Sequence, residues 1–229
     1  MSAPLANAWM DRVAHDLRGP LAPMQTAVYL LRAPAIADSE RDELLAVLER
    51  QIQRLGGMID EFSDFGRAQT DRLVTRREVI DVESLVGDIV DRPGKRPPLV
   101  SLAPEVRGLE IEGDALRIAQ LFETLLGVRL GRDPASPVRA RLELSGDCLR
   151  MTCVADCSGA TDALVGALLT SPHPDPPDDA LGLGLMIAAS IARAHGGRLH
   201  GRAGARDTAE LVLELPAGGE PADLGQARG

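Results

Sequence analysis

The hydrophobic positions in the first third of the chain follow a helical period. Between residues 5 and 33, Val13, Leu17, Leu21, Met24, Val28 and Leu31 are separated by steps of 4, 4, 3, 4 and 3. That spacing keeps side chains on one face of a helix and lies close to a heptad. Pro20 and Pro23 fall inside the stripe. A proline removes a backbone donor and bends the axis, so a kink is expected just after His15. Ala33-Pro34-Ala35 ends the helix, and Asp38 or Ser39 is placed to cap the next. Over residues 39–69, Leu44, Leu48, Ile52, Leu55, Ile59 and Phe62 repeat the same steps. Two matched helices joined by a short loop make an antiparallel hairpin, and one hairpin alone leaves its seam uncovered. The pattern predicts a four-helix bundle completed by a second copy of the chain.

After residues 70–80 the period changes. Val82–Val90 reads as a short helix, and Pro93–Pro98 as a turn-rich connector. Asp114–Leu130 is predicted to be a helix, on the spacing of Leu116, Ile118, Leu121, Phe122, Leu125 and Leu126. Alternation through Val138–Leu144 and Leu149–Ala155 predicts strands. Gly182–His195 reads as a helix opened by a glycine-rich turn, with Arg198–Gly201 and Ala209–Leu215 as closing strands. The fold class is therefore α+β. A helical hairpin at 1–72 is followed by an α/β sandwich at 77–217, and the Gly/Ala/Pro-rich tail at 218–229 is expected to be disordered.

Composition narrows the function. Aromatic residues are 2% of the chain, so the core must rest on aliphatic side chains. A net charge of −9 argues against a nucleic-acid partner, which needs a basic surface. Cys148, Cys153 and Cys157 are odd in number and lack a metal-type spacing, so neither a disulfide framework nor a zinc site is expected. No stretch of about 18 apolar residues is present to span a bilayer, and no signal peptide is evident, so a cytoplasmic location is expected.

The chemistry-bearing residues cluster in four segments. In Val13-Ala14-His15-Asp16-Leu17-Arg18-Gly19-Pro20-Leu21, a histidine adjoins a carboxylate. A histidine nucleophile needs one neutral ring nitrogen and a neighbour that fixes the other. In Gly182-Leu183-Gly184-Leu185-Met186-Ile187, glycines precede a helix, which lets the backbone approach an anion at the helix N-terminus. That helix runs through Ile191 to His195-Gly196-Gly197, where His195 reads as a C-cap. Val154-Ala155-Asp156-Cys157-Ser158-Gly159-Ala160 follows a strand, and Asp114, Arg117 and Gln120 open a helix that continues through Thr124 to Val128.

Together these segments resemble the core of two-component histidine kinases over residues 5–216. The first matches every fixed position of the H-box, His-Glu/Asp-Leu-Arg-x-Pro-Leu. The resemblance implies that His15 is the phosphoacceptor and Asp16 its acid/base neighbour. Gly19 stands where relatives with phosphatase activity often carry Thr or Asn. The second segment is similar to the G2 box, whose glycines bracket the ATP phosphates. The third is similar to the G1 box, with Asp156 at the adenine-binding aspartate and Ser158 and Ala160 in place of its two glycines. The fourth looks like the N-box helix, with Thr124 and Val128 at its two asparagines. The second of these normally holds Mg²⁺, and valine offers a hard cation no oxygen. Gly131 takes the place of a basic residue. The segment between Asp156 and Gly182 carries Pro172, Pro174, Pro176 and Pro177 with Asp175, Asp178 and Asp179, and an acidic lid is unfavourable beside a triphosphate.

The resemblance implies a homodimeric histidine kinase that takes ATP and Mg²⁺ as cofactors and has a response-regulator receiver domain as partner. Asp156, Gly159, Gly182, Gly184, Leu185 and Thr124 are the expected nucleotide contacts, and no separate protein metal site is expected. Two alternatives follow from the departures: an ATP-independent phosphotransferase relaying phosphate between receivers, and a scaffold without chemistry.

Overall fold

A computed structural model describes residues 12–33, 36–70, 72–92, 97–131, 136–173, 176 and 180–218. Most of the 93–98 connector, the lid positions 174–175 and 177–179, and nearly all of the tail lie outside the described residues. The chain divides into two compact units. One takes in the chain up to Asp64 together with His173–Leu183. The other comprises Phe65–Pro172 and the chain from Gly184 onwards.

The first unit is the helical hairpin. Helix α1 covers residues 12–18, and α2 spans Leu21–Leu31. Between them the chain turns at Gly19-Pro20, where the Gly19 N–H donates to the Asp16 carbonyl at 3.2 Å. The expected kink after His15 is thus a complete interruption. Pro23 causes no second break, because it sits in the first turn of α2, where N–H groups have no helical acceptor. Helix α3, Asp38–Gln69, has 32 residues and is about 48 Å long at ~1.5 Å per residue. Asp38 is its first helical residue, with Glu40 in the same turn, where acidic side chains complement the helix dipole.

The second unit is a sheet covered by helices. Strands β1 (Glu78–Asp81) and β3 (Glu110–Gly113) form a small antiparallel pair. The five-stranded sheet has the order β2-β4-β5-β7-β6, with β2 (Leu99–Leu102), β4 (Arg139–Ser145), β5 (Cys148–Asp156), β6 (Arg198–Ala203) and β7 (Thr208–Pro216). The β2–β4 pairing is parallel and the other three are antiparallel. On β5, Leu149, Met151, Cys153 and Ala155 alternate into the core. Burial pushes the Cys153 thiol up to about 12, so it behaves as an apolar side chain. Helices α4 (Val82–Val90), α5 (Ala115–Leu126), α6 (Asp162–Leu168) and α7 (Gly184–Ala194) complete the unit. Helix α5 packs on α7, and α6 and α7 pack on β6.

Two expectations change here. Helix α5 ends at Leu126, four residues before the predicted limit at Leu130. The chain leaves the helix at Gly127, where a Cβ would sit 2.9 Å from the Glu123 carbonyl oxygen. Strands β1, β2 and β3 were not foreseen. Each has four residues, too few for an alternation to stand out.

Glu214 on β7 joins two arginines across neighbouring strands. Arg150 donates to its carboxylate at 2.7 Å, and Arg198 bonds the other oxygen. The glutamate side chain is only 11% exposed. Those hydrogen bonds, first from Arg198 and then from Arg150, hold its carboxyl down at about 2. A carboxyl whose pKa is depressed on folding contributes stability above its unfolded value, and loses it as pH falls toward the folded one. The melting temperature should therefore drop between pH 4.5 and pH 2 more steeply in the native chain than in Glu214→Gln. Parallel curves in a thermal melt series would exclude this role.

Candidate functional site

His15 stands on α1 with its side chain 87% exposed, and its Nδ1 lies 3.2 Å from Asp16 Oδ1. A carboxylate can only accept, so this contact puts the proton on Nδ1 and leaves the Nε2 lone pair free toward solvent. Asp16 is fixed in turn from one helical turn earlier, where Arg12 Nε lies 3.4 Å from its Oδ2. Arg12 also donates to the His173 carbonyl at 2.8 Å. Nothing in the sequence marked Arg12. Its place four residues before Asp16, on the same helix face, was the available signal.

The glycine-rich loop adopts the backbone its sequence predicts. Gly182 has φ +76°, and a Cβ there would lie 2.7 Å from the His173 carbonyl oxygen, so only glycine fits. The His173 N–H closes the segment by donating to the Gly182 carbonyl at 2.8 Å. The Glu61 carboxylate on α3 accepts from the Leu181 N–H at 2.7 Å and the Leu183 N–H at 2.5 Å. Gly184 is the first residue of α7. Leu185 is buried, so what it offers a ligand is its backbone N–H in that first turn.

In the second unit, Asp156 closes β5 opposite Thr208. The loop after it is braced by Asp207, in the β6–β7 turn. The Asp207 carbonyl accepts from Cys157 N–H at 2.7 Å, and its side chain accepts from Gly159 N–H at 3.1 Å. Arg206 and Asp207 are both left-handed, at φ 56° and 55°, although neither is a glycine. Gly159, at φ +70°, is the glycine the loop needs, although it sits between the two positions where glycines were expected. Gly131 lies hard against Asp156, since a Cβ on it would be 2.9 Å from the Asp156 carbonyl oxygen. A lysine or arginine at 131 would displace that loop.

Thr124 lies on α5, where its hydroxyl donates to the Gln120 carbonyl at 2.8 Å. Val128 follows the helix end and is half-buried. A valine and a hydroxyl committed to its own helix do not make the oxygen-rich set that Mg²⁺ takes. Among the described residues no group of three or more His, Cys, Asp or Glu side chains could hold a metal ion. These residues do not fit Mg²⁺.

The in-register start of the same helix has a structural role. The Asp114 carboxylate accepts from Thr75 N–H at 2.9 Å, Thr75 hydroxyl at 3.0 Å and Arg117 N–H at 3.3 Å. Burial pushes its carboxyl up, but these bonds together hold it below its usual value. Buried Arg117 donates to the Leu73 carbonyl at 3.2 Å, fastening the segment after α3 to α5. His195 sits at the C-terminal end of α7, as expected. Its side chain does more, since Nε2 accepts the Asp114 N–H at 3.0 Å and Nδ1 meets the Ile191 carbonyl at 2.8 Å.

Comparison with known proteins agrees with this architecture. Residues 7–71 match the family model described as His Kinase A (phospho-acceptor) domain. Sensor protein ChvG of Rhizobium meliloti is 28% identical over 91% of this chain, and the chain spans 40% of that relative's length. Among solved structures, the Acinetobacter baumannii histidine kinase AdeS superposes with a TM-score of 0.64 at 16% identity, covering 90% of this chain and 98% of that one. Histidine kinase ThkA, in complex with response regulator protein TrrA, gives 0.66 at 15% identity over 91% of this chain and 61% of that one. No helix among the described residues is long and apolar enough to cross a membrane.

Proposed function

The chain is a two-component histidine kinase core, a phosphoacceptor domain followed by an ATPase-type domain, and we propose that His15 carries a phosphoryl group from ATP to an aspartate of a response-regulator receiver domain. The observation that carries this reading is the exposed imidazole with Nδ1 on Asp16. Nε2 attacks the γ-phosphorus, and the bond from phosphorus to the ADP oxygen breaks. Asp16 takes the Nδ1 proton as the N–P bond forms, which leaves a neutral imidazole ring bearing the anionic phosphoryl group. In the second transfer a receiver carboxylate oxygen attacks phosphorus, and the returning proton makes the imidazole a better leaving group. In the second unit, Asp156 and the Gly159 loop are the candidates to meet a nucleotide base, and the amides of Gly184 and Leu185 to meet a phosphate; in the first unit, the Gly182 amide is a candidate phosphate donor.

Thr124 and Val128 favour a second reading. Phosphoryl transfer from ATP draws on cations that neutralise developing charge. A chain without the Mg²⁺ ligand can still receive phosphate on His15 from a phospho-aspartyl receiver. Incubation with γ-labelled ATP decides between the two. Acid-labile label that then moves to a receiver supports the kinase. Label arriving only from a phosphorylated receiver leaves the relay, and label from neither donor overturns both.

The working unit is proposed to be a homodimer. On α3, Leu45, Ile52 and Ile59 recur every seven residues, and all three are exposed in the single chain, Ile52 and Ile59 at 55% each, with Phe62 alongside. A seven-residue apolar stripe is the seam a second helix pair would cover. The double variant Ile52→Glu, Ile59→Glu should sediment as a monomer with helix content retained. An unchanged dimer would place the interface elsewhere.

A further inference from the structure

The donors that a phosphate would use on the glycine-rich loop already face an anion. Glu61, half-buried on α3, accepts from both the Leu181 and the Leu183 N–H, at 2.7 and 2.5 Å. The two residues flank Gly182, and their own side chains are 2% and 0% exposed. The same segment is held at its other end, where Arg12, one turn before Asp16, donates to the His173 carbonyl at 2.8 Å. The His173 N–H to Gly182 carbonyl bond ties these two points together. The hairpin that carries His15 thus grips the loop from both of its helical arms.

We propose that Glu61 is an internal anion that occupies the loop amides and competes with the phosphates of a nucleotide, so that the loop is shut until α3 moves. It rests on the reading of this loop as phosphate-binding. A carboxylate accepting two backbone N–H groups makes charge-assisted bonds of the kind a phosphate oxygen makes at the same donors. The two ligands exclude each other, and the apparent nucleotide affinity falls by the fraction of molecules in which the loop is free. A motion of the hairpin, such as receiver docking beside His15 would produce, withdraws Glu61 and opens the loop.

The test uses the full chain with Glu61→Gln and Glu61→Ala, and Asp60→Asn on the exposed face as control. Hydrogen exchange, read by mass spectrometry on a peptide spanning Leu181–Leu185, reports the latch without nucleotide. In both Glu61 variants exchange should accelerate on the order of tenfold, while β5 and β7 peptides and the control stay unchanged. Unchanged exchange overturns the latch. Affinity for a fluorescent ATP analogue should then rise about tenfold in the Glu61 variants, the scale of a lost charge-assisted contact. Equal affinity in native chain and variants, with binding seen in both, overturns the competition alone. Binding in neither overturns the competition together with the ATP reading. Binding in the variants only establishes both.

Discussion

His15→Gln should abolish acid-labile phosphorylation from every donor. Glutamine keeps the size and a polar end but has no lone pair able to form an N–P bond. The loss should be complete, whether the donor is labelled ATP, a phosphorylated receiver or a small phosphoramidate. Structure should be unaffected, because the side chain is 87% exposed and its hydrogen-bond partner among the described residues is the adjacent Asp16. Surface substitutions of this kind shift stability by no more than about 0.5 kcal/mol. A circular dichroism melt therefore serves as the control. Residual label in a variant that melts like the native chain would move the phosphoacceptor off His15. The other three histidines are poor substitutes on different grounds. His195 is buried and holds both ring nitrogens in the fold. His173 sits in the segment held by Arg12, and His200 lies within β6.

Val128→Asn should restore much of what the nucleotide half lacks. The position lies just beyond the end of α5 and is half-buried, so an asparagine of nearly the same volume can be accommodated. Its carbonyl oxygen supplies the kind of ligand Mg²⁺ prefers. A single charge-stabilising contribution is worth roughly 10²–10³ in rate. The expected readout is the ratio of nucleotide affinity with Mg²⁺ to that with a chelator, near one in the native chain and well above one in the variant. A rise in autophosphorylation on the order of 10² should accompany it. An unchanged ratio would mean that Thr124, whose hydroxyl stays on the Gln120 carbonyl, also has to be replaced. If the native chain already showed a large ratio, the mismatch with Mg²⁺ would be refuted.

The Asp156 loop shows how far local residues reach. Its position after a strand and its carboxylate were legible. Ser158 and Ala160 stand in place of both glycines of the pattern. In the folded chain the left-handed position falls on Gly159, and the support comes from Asp207, 48 residues further on. The same holds at position 131, where a missing basic residue read as a loss. Gly131 is there because the Asp156 backbone passes within a Cβ's reach.

The sequence by itself determined what depends on residues close to one another along the chain. This covers the two long periodic helical stretches and a bend in the first of them at its prolines, the alternating β4–β5 pair, a helix preceded by the glycine-rich turn, and the adjacency of His15 and Asp16. Period and proline act through the backbone of one segment, so they need no partner to be read. Tertiary structure alone decided the short strands β1, β2 and β3, the early end of α5, and the fastening of Asp114, Arg117 and His195. It also decided the contact of Glu61 with amides 120 and 122 residues away. A hydrogen bond over that separation leaves no periodic trace, because its donors are backbone groups common to every residue and only folding selects which carboxylate meets them.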